Sequence, residues 1–139
     1  MTLFDGGGLE LGAGTTTPGK SRLKISGGTA IVTGDWAISA GWGPGATVTA
    51  VSGTDSRGTV TITTSAADTP TANPTATLTF KDGTWTVAPF VAAGMNAAGT
   101  GVATDIPWTS TATTMILTYD GTPAAVLSRT YILSYVVVG

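Results

Sequence analysis

The sequence predicts an all-β protein, an antiparallel β-sandwich or jelly-roll-like fold that follows a flexible, Gly-rich N-terminal arm. Short segments rich in Thr, Val, Ile, Leu and Ala alternate between apolar and polar residues, which is typical of half-buried strands. Glycine, proline and Asp-Gly pairs separate these segments, and the 139 residues include 20 Gly and 7 Pro. No segment combines helical periodicity with helical length. We therefore expect an arm over residues 1–20 and a β-sandwich domain over residues 21–139.

The arm combines many glycines with a few large apolar residues. Glycine loses more backbone entropy on ordering than any other residue, so six of them before residue 20 argue against an element that folds alone. The apolar residues of the arm are expected to be buried against a neighbouring subunit, and they are Leu3, Phe4, Leu9 and Leu11. The alternative is a disordered terminus that carries scattered apolar residues.

The first strong strand pair is predicted over residues 46–63. Residues 46–52 alternate, which places Val48 and Ala50 on one face, and residues 59–63 place Val60 and Ile62 together. The intervening Gly-flanked turn contains Asp55, which we expect to cap its own backbone. This segment therefore predicts a β-hairpin.

The second predicted hairpin begins with residues 75–80, whose Ala76, Leu78 and Phe80 alternate inward. The turn at residues 81–84 is expected to lead back into a strand that contains Trp85 and Val87. Shorter candidate strands are Leu23 with Ile25, Ala30–Val32, Trp36–Ile38 and Phe90–Met95.

The third predicted hairpin lies at the C-terminus. Met115, Leu117 and Tyr119 share one face before the turn at Asp120-Gly121. The last and longest strand has an alternating apolar face made of Tyr131, Leu133, Tyr135 and Val137. We expect this strand to lie centrally in a sheet, because it offers the longest buried face.

The ionisable residues do not indicate catalysis. The chain has no His and no Cys, so it lacks the usual general base and thiol nucleophile and the usual zinc ligands. Paired carboxylates could serve a glycosidase or a calcium site, but the acidic residues occur singly and mostly in turns. They are Asp5, Glu10, Asp35, Asp55, Asp68, Asp82, Asp105 and Asp120. We expect no enzymatic activity, no cofactor and no metal.

Charge and hydropathy restrict the partners. Six basic and eight acidic residues give a net charge of −2, which does not suit a nucleic-acid backbone. No apolar segment is long enough for a membrane span, and the N-terminus does not resemble a signal peptide, so we expect synthesis in the cytoplasm. Only 10% of residues are charged and mean hydropathy is +0.30, so we expect burial in an oligomer or a larger assembly.

The aromatic and basic residues leave alternatives open. The four tryptophans are expected to fill the core or subunit contacts, although exposed rings could instead form a carbohydrate platform. They are Trp36, Trp42, Trp85 and Trp108. Lys20, Arg22 and Lys24 alternate into a basic strip, which indicates either a protected edge strand or a contact with an acidic neighbour.

Several strand and turn patterns resemble a β-sandwich module of tailed-bacteriophage structural proteins. They comprise Gly41-Trp42-Gly43, residues 46–48, 51–63, 74–80, 88–91, 113–119 and 131–139. The resemblance covers residues 36 to 139 and contains no catalytic signature. It implies a role in the virion, as a capsid decoration protein, a head fibre or the end module of a tail fibre.

Within that resemblance, the short arm favours decoration, because a tail fibre needs a long shaft before its tip. The resemblance thus implies a homotrimer on the capsid surface that binds the major capsid protein and stabilises the head shell. The expected contacts are Leu3, Phe4, Leu9, Leu11, Lys20, Arg22 and Lys24. The alternative is a tail-fibre or head-fibre adhesin that binds host-surface glycans, which predicts exposed Trp rings beside Asp or Asn in a groove.

Overall fold

Two four-stranded antiparallel sheets pack face to face in the computed structural model, which describes residues 2–3, 9–10, 28–65, 69–97, 105–123 and 129–139. The first sheet contains the strands β4 (Thr47–Thr54), β5 (Arg57–Thr63), β7 (Phe90–Ala97) and β10 (Thr130–Val138). The second contains β3 (Trp36–Ile38), β6 (Thr75–Thr79), β8 (Trp108–Ser110) and β9 (Thr114–Thr118). The spatial order is β4-β5-β10-β7 in the first sheet and β3-β6-β9-β8 in the second. The predicted all-β sandwich is confirmed.

Short elements complete the described chain. The strands β1 (Thr2–Leu3) and β2 (Leu9–Glu10) pair antiparallel with each other, with Leu3 opposite Leu9. Two 3-10 turns, Thr33–Asp35 and Ala40–Trp42, flank β3. The predicted strand at Ala30–Val32 is wrong, because those residues belong to no strand. The Ile31 N–H donates a single backbone hydrogen bond to the Gly53 carbonyl oxygen, at 3.1 Å. The predicted strand at Leu23 and Ile25 lies outside the described residues.

The core lies between the inward faces of both sheets. The strand β10 contributes Tyr131, Leu133, Tyr135 and Val137, all at most 5% exposed, and it lies between β5 and β7 as predicted. The inward positions of the other central strands are fully buried: Val60, Ile62, Ala76, Leu78, Met115 and Leu117. Period-two alternation therefore identified the buried face correctly along these strands.

Trp42 forms the aromatic centre of the core. It is fully buried, and its indole N–H donates to the Thr75 carbonyl oxygen at 3.0 Å. The Tyr119 and Tyr131 rings lie 5.7 and 5.3 Å from it, in the tilted arrangement that aromatic pairs favour. Trp36 is also buried, whereas Trp85 and Trp108 are half-buried. Core packing is thus confirmed for Trp36 and Trp42.

The hairpin of β4 and β5 is confirmed, but one of its faces differs from the prediction. A β-bulge at Thr49 shifts the register, so that Val48 pairs with Ile62 while Ala50 pairs with Thr61. A bulge inserts one residue and reverses the alternation beyond it. Val48 and Val51 therefore pack against the core, and Ala50 is exposed.

The other two predicted hairpins are wrong. The strand β6 pairs with β3 and β9, and Trp85 and Val87 belong to no strand. The strands β9 and β10 lie in opposite sheets, so the chain crosses the sandwich between them. In both places the turn residues ended a strand as predicted, but a turn signal does not determine whether the next strand pairs in the same sheet.

Candidate functional site

A network of carboxylates holds one end of the sandwich together. Asp55, at the tip of the β4–β5 hairpin, is 4% exposed, and its Oδ1 has no hydrogen-bond partner, so the predicted cap of its own turn is wrong. Its Oδ2 instead accepts the backbone N–H groups of Lys81 and Asp82, at 2.6 and 2.7 Å. Lys81 and Asp82 follow β6 in the other sheet, so one carboxylate joins the two sheets.

The same network fixes the chain where it enters the sandwich. Both carboxylate oxygens of Asp82 accept the Thr29 N–H, at 2.8 and 2.9 Å. Lys81 Nζ lies 3.0 Å from Asp35 Oδ2 and donates to the Ala30 carbonyl oxygen at 3.3 Å. We name residues 28–35 the junction segment, because they connect the N-terminal residues to the first strand of the sandwich.

Two carboxyl groups of this network, Asp35 and Asp82, have a lowered pKa. Hydrogen bonds from Thr29 hold the pKa of Asp82 below its usual value, and the nearby Lys81 acts in the same direction. The Val32 N–H, followed by Lys81, lowers the pKa of Asp35. Among the described residues, no group of three or more acidic, His or Cys side chains is arranged to hold a metal ion. The predicted structural role of Asp55 and Asp82 is thus supported by their backbone partners.

The hairpin tip requires glycine at two positions. Gly53 has φ +111°, a conformation that L side chains rarely adopt. A Cβ at Gly58 would collide with the Ser52 carbonyl oxygen and would lie 2.7 Å from the Tyr135 hydroxyl. That hydroxyl donates to the Thr54 carbonyl oxygen at 2.7 Å, so the tip is bound to β10 as well as to the second sheet.

A concave pocket of about 320 Å³ lies beside this network. Its lining includes the half-buried Trp85, the carboxylate residues Asp55 and Asp82, and the hydroxyl residues Thr84 and Thr86. The adhesin alternative predicts exposed Trp rings beside Asp or Asn in a groove, and this pocket offers one half-buried Trp beside the exposed Asp82. The Phe80 ring packs edge-on against Trp85 at 5.9 Å and restricts its position.

The outer face of the first sheet carries an exposed apolar surface next to its β7 edge. We define the apolar patch as Phe90, Ala92, Val136 and Val138. Val138 pairs with Phe90 and Val136 with Ala92 across the β10–β7 ladder. Phe90 and Val138 are 61% and 62% exposed, and Val136 is 49% exposed. The four patch residues are uncharged, and the exposed Arg57 of β5, which pairs with Val136, borders them.

A groove of about 530 Å³ adjoins the apolar patch at the edge of the sheet. It is lined by residues 90–93 of β7 and by residues 105–108, which lead into β8. The Trp108 ring meets Phe90 edge-on with centroids 4.9 Å apart, so patch and groove share an aromatic border. Among the described lining residues, Asp105 alone carries a charge, and it is exposed.

Two of the predicted contact residues of the arm lie within the described part of the structure. Leu3 and Leu9 lie opposite each other in the β1–β2 pair. The remaining residues lie outside the described ranges, and they are Phe4, Leu11, Lys20, Arg22 and Lys24.

The apolar patch was not predicted from the sequence, although one signal for it was present. Val136, Val137 and Val138 form an apolar run where strict alternation would place polar residues at the first and last positions. Such a run at the end of a half-exposed strand predicts an outer face that is covered by something else.

No described helix has both the length and the apolar character that crossing a membrane would require. No protein-family model matches this chain. No curated protein matches it. No solved structure matches it either.

Proposed function

We propose that this protein is a non-enzymatic structural protein that docks onto a larger protein assembly through the apolar patch. The observation that carries the proposal is the exposure of Phe90, Val136 and Val138, at 61%, 49% and 62%, on a rigid two-strand ladder. Burying each such side chain contributes about 1.5–3 kcal/mol before ordering costs. Because β10 and β7 already fix these residues, little conformational entropy is lost on docking.

The resemblance to phage virion modules gives this docking role a specific form. In that form the protein is a capsid decoration protein on the virion surface, where it binds the major capsid protein, as a homotrimer, and stabilises the head shell. An apolar patch without charged residues of its own suits a contact with another protein surface and does not suit nucleic acid. Cross-linking neighbouring coat subunits raises the free energy of shell disassembly, because bound protein stabilises the assembled state by mass action.

The test compares two exposed valines that differ in location. Val138→Lys places a charge in the apolar patch, whereas Val32→Lys makes the same substitution at a 54% exposed valine of the junction segment. We expect Val138→Lys to weaken binding to purified coat shells at least tenfold and Val32→Lys to leave it unchanged, with both proteins keeping their thermal stability. Equal binding of both variants to the shells would show that the apolar patch is not part of the docking surface.

Glycan binding is a second candidate, and the pocket beside Trp85 favours it. A sugar ring can pack against the accessible part of the half-buried Trp85 ring while its hydroxyls bond to the exposed Thr84, Thr86 and Asp82 side chains. Titration of the protein with a panel of bacterial surface saccharides, followed by tryptophan fluorescence, tests this candidate. A fluorescence change with a saccharide that disappears in Thr84→Arg would support glycan binding. No fluorescence change with any saccharide of the panel would reject it.

A further inference from the structure

We propose that the groove beside β7 receives Leu23 and Ile25 of a neighbouring copy of this chain. This inference rests on the proposed self-association of the protein and names the contact that produces it. The groove is bordered by apolar residues of two sheets, and it opens beside the edge strand β7, which pairs with β10 on its other side. Edge strands and adjoining grooves are common sites for an added extended segment.

The charge of the groove favours the N-terminal residues as its occupant. Among its described lining residues the single charge is the exposed Asp105 carboxylate. Residues 20–24 carry three of the six basic residues of the chain, Lys20, Arg22 and Lys24. Leu23 and Ile25 alternate with them, so an extended segment offers apolar side chains on one side and positive charge on the other. That pattern complements an apolar groove with one carboxylate at its rim.

The geometry of the junction segment favours the groove of another copy over that of the same copy. A Cβ built on Gly28 would lie 2.7 Å from Asp82 Oδ2 and 3.2 Å from the Thr54 Cβ, so the chain enters beside the last residue of β4, the edge strand opposite β7. From Thr54 the ladder runs through Arg57 and Val136 to Ala92, which are three successive strand spacings. At about 4.8 Å each, these spacings amount to roughly 14 Å.

The available chain is too short for that distance. Two residues lie between Gly28 and Ile25, so three steps of at most about 3.6 Å each carry an extended backbone roughly 11 Å. The groove lies on the far side of β7, which adds about one more strand spacing to the path. The Ile25 backbone therefore falls short of the groove on its own copy, which favours a groove on another copy.

A contact of this kind joins two different surfaces, the N-terminal segment of one copy and the β7 edge of the next. Heterologous contacts produce closed rings when the rotation between copies closes. A ring of three copies satisfies every groove and every segment, and it matches the trimer that the resemblance implies. Phe90 and Ala92 line the groove and belong to the apolar patch as well, so this contact covers that side of the patch, and Val136 and Val138 of β10 remain exposed for docking.

Engineered disulfides test this contact directly, because the chain has no native cysteine. The full-length double variant Ile25→Cys/Ala92→Cys places one thiol in the segment and one beside the groove. The control Ile25→Cys/Ala37→Cys places the second thiol at an exposed alanine of β3, on the outer face of the other sheet. After mild oxidation, we expect covalent multimers up to trimers from the first variant and monomers from the control.

Each other outcome contradicts the inference. A monomer with an internal disulfide would show that the segment binds to its own copy. A monomer with two free thiols would show that the segment does not lie beside the groove. Equal cross-linking by Ala92→Cys alone would indicate a symmetrical contact between two β7 strands.

As a second measurement, Asp105→Lys should lower the molar mass of the protein in solution, and adding Lys24→Glu should restore it. These measurements use the free protein without coat shells, so their failure leaves docking through the apolar patch untouched.

Discussion

Asp55 shows how a single side chain can organise one end of this sandwich. Its Oδ2 accepts two backbone N–H groups from the second sheet, and its residue is 4% exposed. Hydrogen bonds from backbone N–H groups to a carboxylate are stronger than neutral ones. Asp55 therefore contributes more to the fold than an ordinary turn aspartate would.

The first prediction concerns Asp55→Ala. The substitution leaves the Lys81 and Asp82 N–H groups without their acceptor, and a buried unsatisfied donor costs about 1–3 kcal/mol. We expect the free energy of unfolding, measured by urea denaturation, to fall by about 2–4 kcal/mol. The control Asp120→Ala removes an exposed turn carboxylate and should change it by less than about 0.5 kcal/mol. A loss for Asp55→Ala no larger than the control would mean that the carboxylate is not a structural link.

The second prediction concerns Tyr135 at alkaline pH. Burial, followed by the nearby Asp55 charge, raises the pKa of Tyr135 well above its ordinary value of 10.0. The unfolded chain loses the Tyr135 proton near pH 10, whereas the folded protein retains it. The stability that depends on the neutral phenol is thus fully present below pH 10 and is lost as pH rises above it.

Tyr135→Phe should therefore flatten the decline of stability above pH 10. At pH 7 the variant loses the hydrogen bond to the Thr54 carbonyl oxygen, which costs about 0.5–1.5 kcal/mol. Urea denaturation from pH 7 to pH 11 measures both effects, with Tyr119→Phe as the matched control. Parallel pH curves for wild-type protein and Tyr135→Phe would contradict the prediction.

At the scale of single elements, β10 has the largest part in the fold. It pairs with β5 over residues 130–136 and with β7 over residues 131–138. Its inward side chains meet the second sheet in the common core, and its outward Val136 and Val138 belong to the apolar patch. One strand thus supports both the core and the proposed docking surface.

The third prediction is that β10 is indispensable. Removal of residues 131–139 separates β5 from β7 and exposes the core, so we expect the loss of any cooperative thermal transition. Leu133→Ala is the milder variant. It truncates a fully buried side chain and should cost about 2–5 kcal/mol, whereas Ser134→Ala, on the exposed side, should cost less than about 0.5 kcal/mol. A cooperative transition in the shortened chain would contradict this role of β10.

The β4–β5 hairpin shows where element prediction from sequence stops. The Gly-flanked turn and the inward Val60 and Ile62 could be predicted, because turn chemistry and alternation are local properties. The bulge at Thr49 could not, since a bulge depends on how two strands align and leaves no mark in a single strand. The assignment of Ala50 to the buried face failed for that reason.

At the scale of the whole molecule, the N-terminal arm and the C-terminal strand are expected to make separate contacts with the assembly. The C-terminal strand carries half of the apolar patch, while the arm carries the apolar residues Leu3, Phe4, Leu9 and Leu11. On the proposed function, the sandwich docks through the patch and the arm adds contacts with coat subunits.

The fourth prediction concerns a shortened chain that begins at Lys20. Because the described core is formed by residues from Ile31 onward, we expect the melting temperature to change by only a few degrees. Loss of Phe4 and three leucines should lower occupancy on expanded coat shells, since each buried apolar side chain contributes about 1.5–3 kcal/mol. Electron microscopy of shells mixed with either chain measures occupancy. Full occupancy by the shortened chain would show that the arm is dispensable for docking.

The sequence by itself determined the fold class, the buried face of most strands and the position of the turns. These properties depend on residue chemistry and on alternation within a few neighbouring positions. It also indicated the central position of β10 through the length of its apolar face.

Only the tertiary structure decided which strands pair, because a turn signal is the same for a hairpin and for a crossover to the other sheet. The tertiary structure alone also brought Asp55 to the Lys81–Asp82 backbone, and Phe90 and Ala92 beside Val138 and Val136. These partners are 26 to 48 residues apart in the chain, and contacts over such distances arise from the packing of two sheets and not from any local pattern.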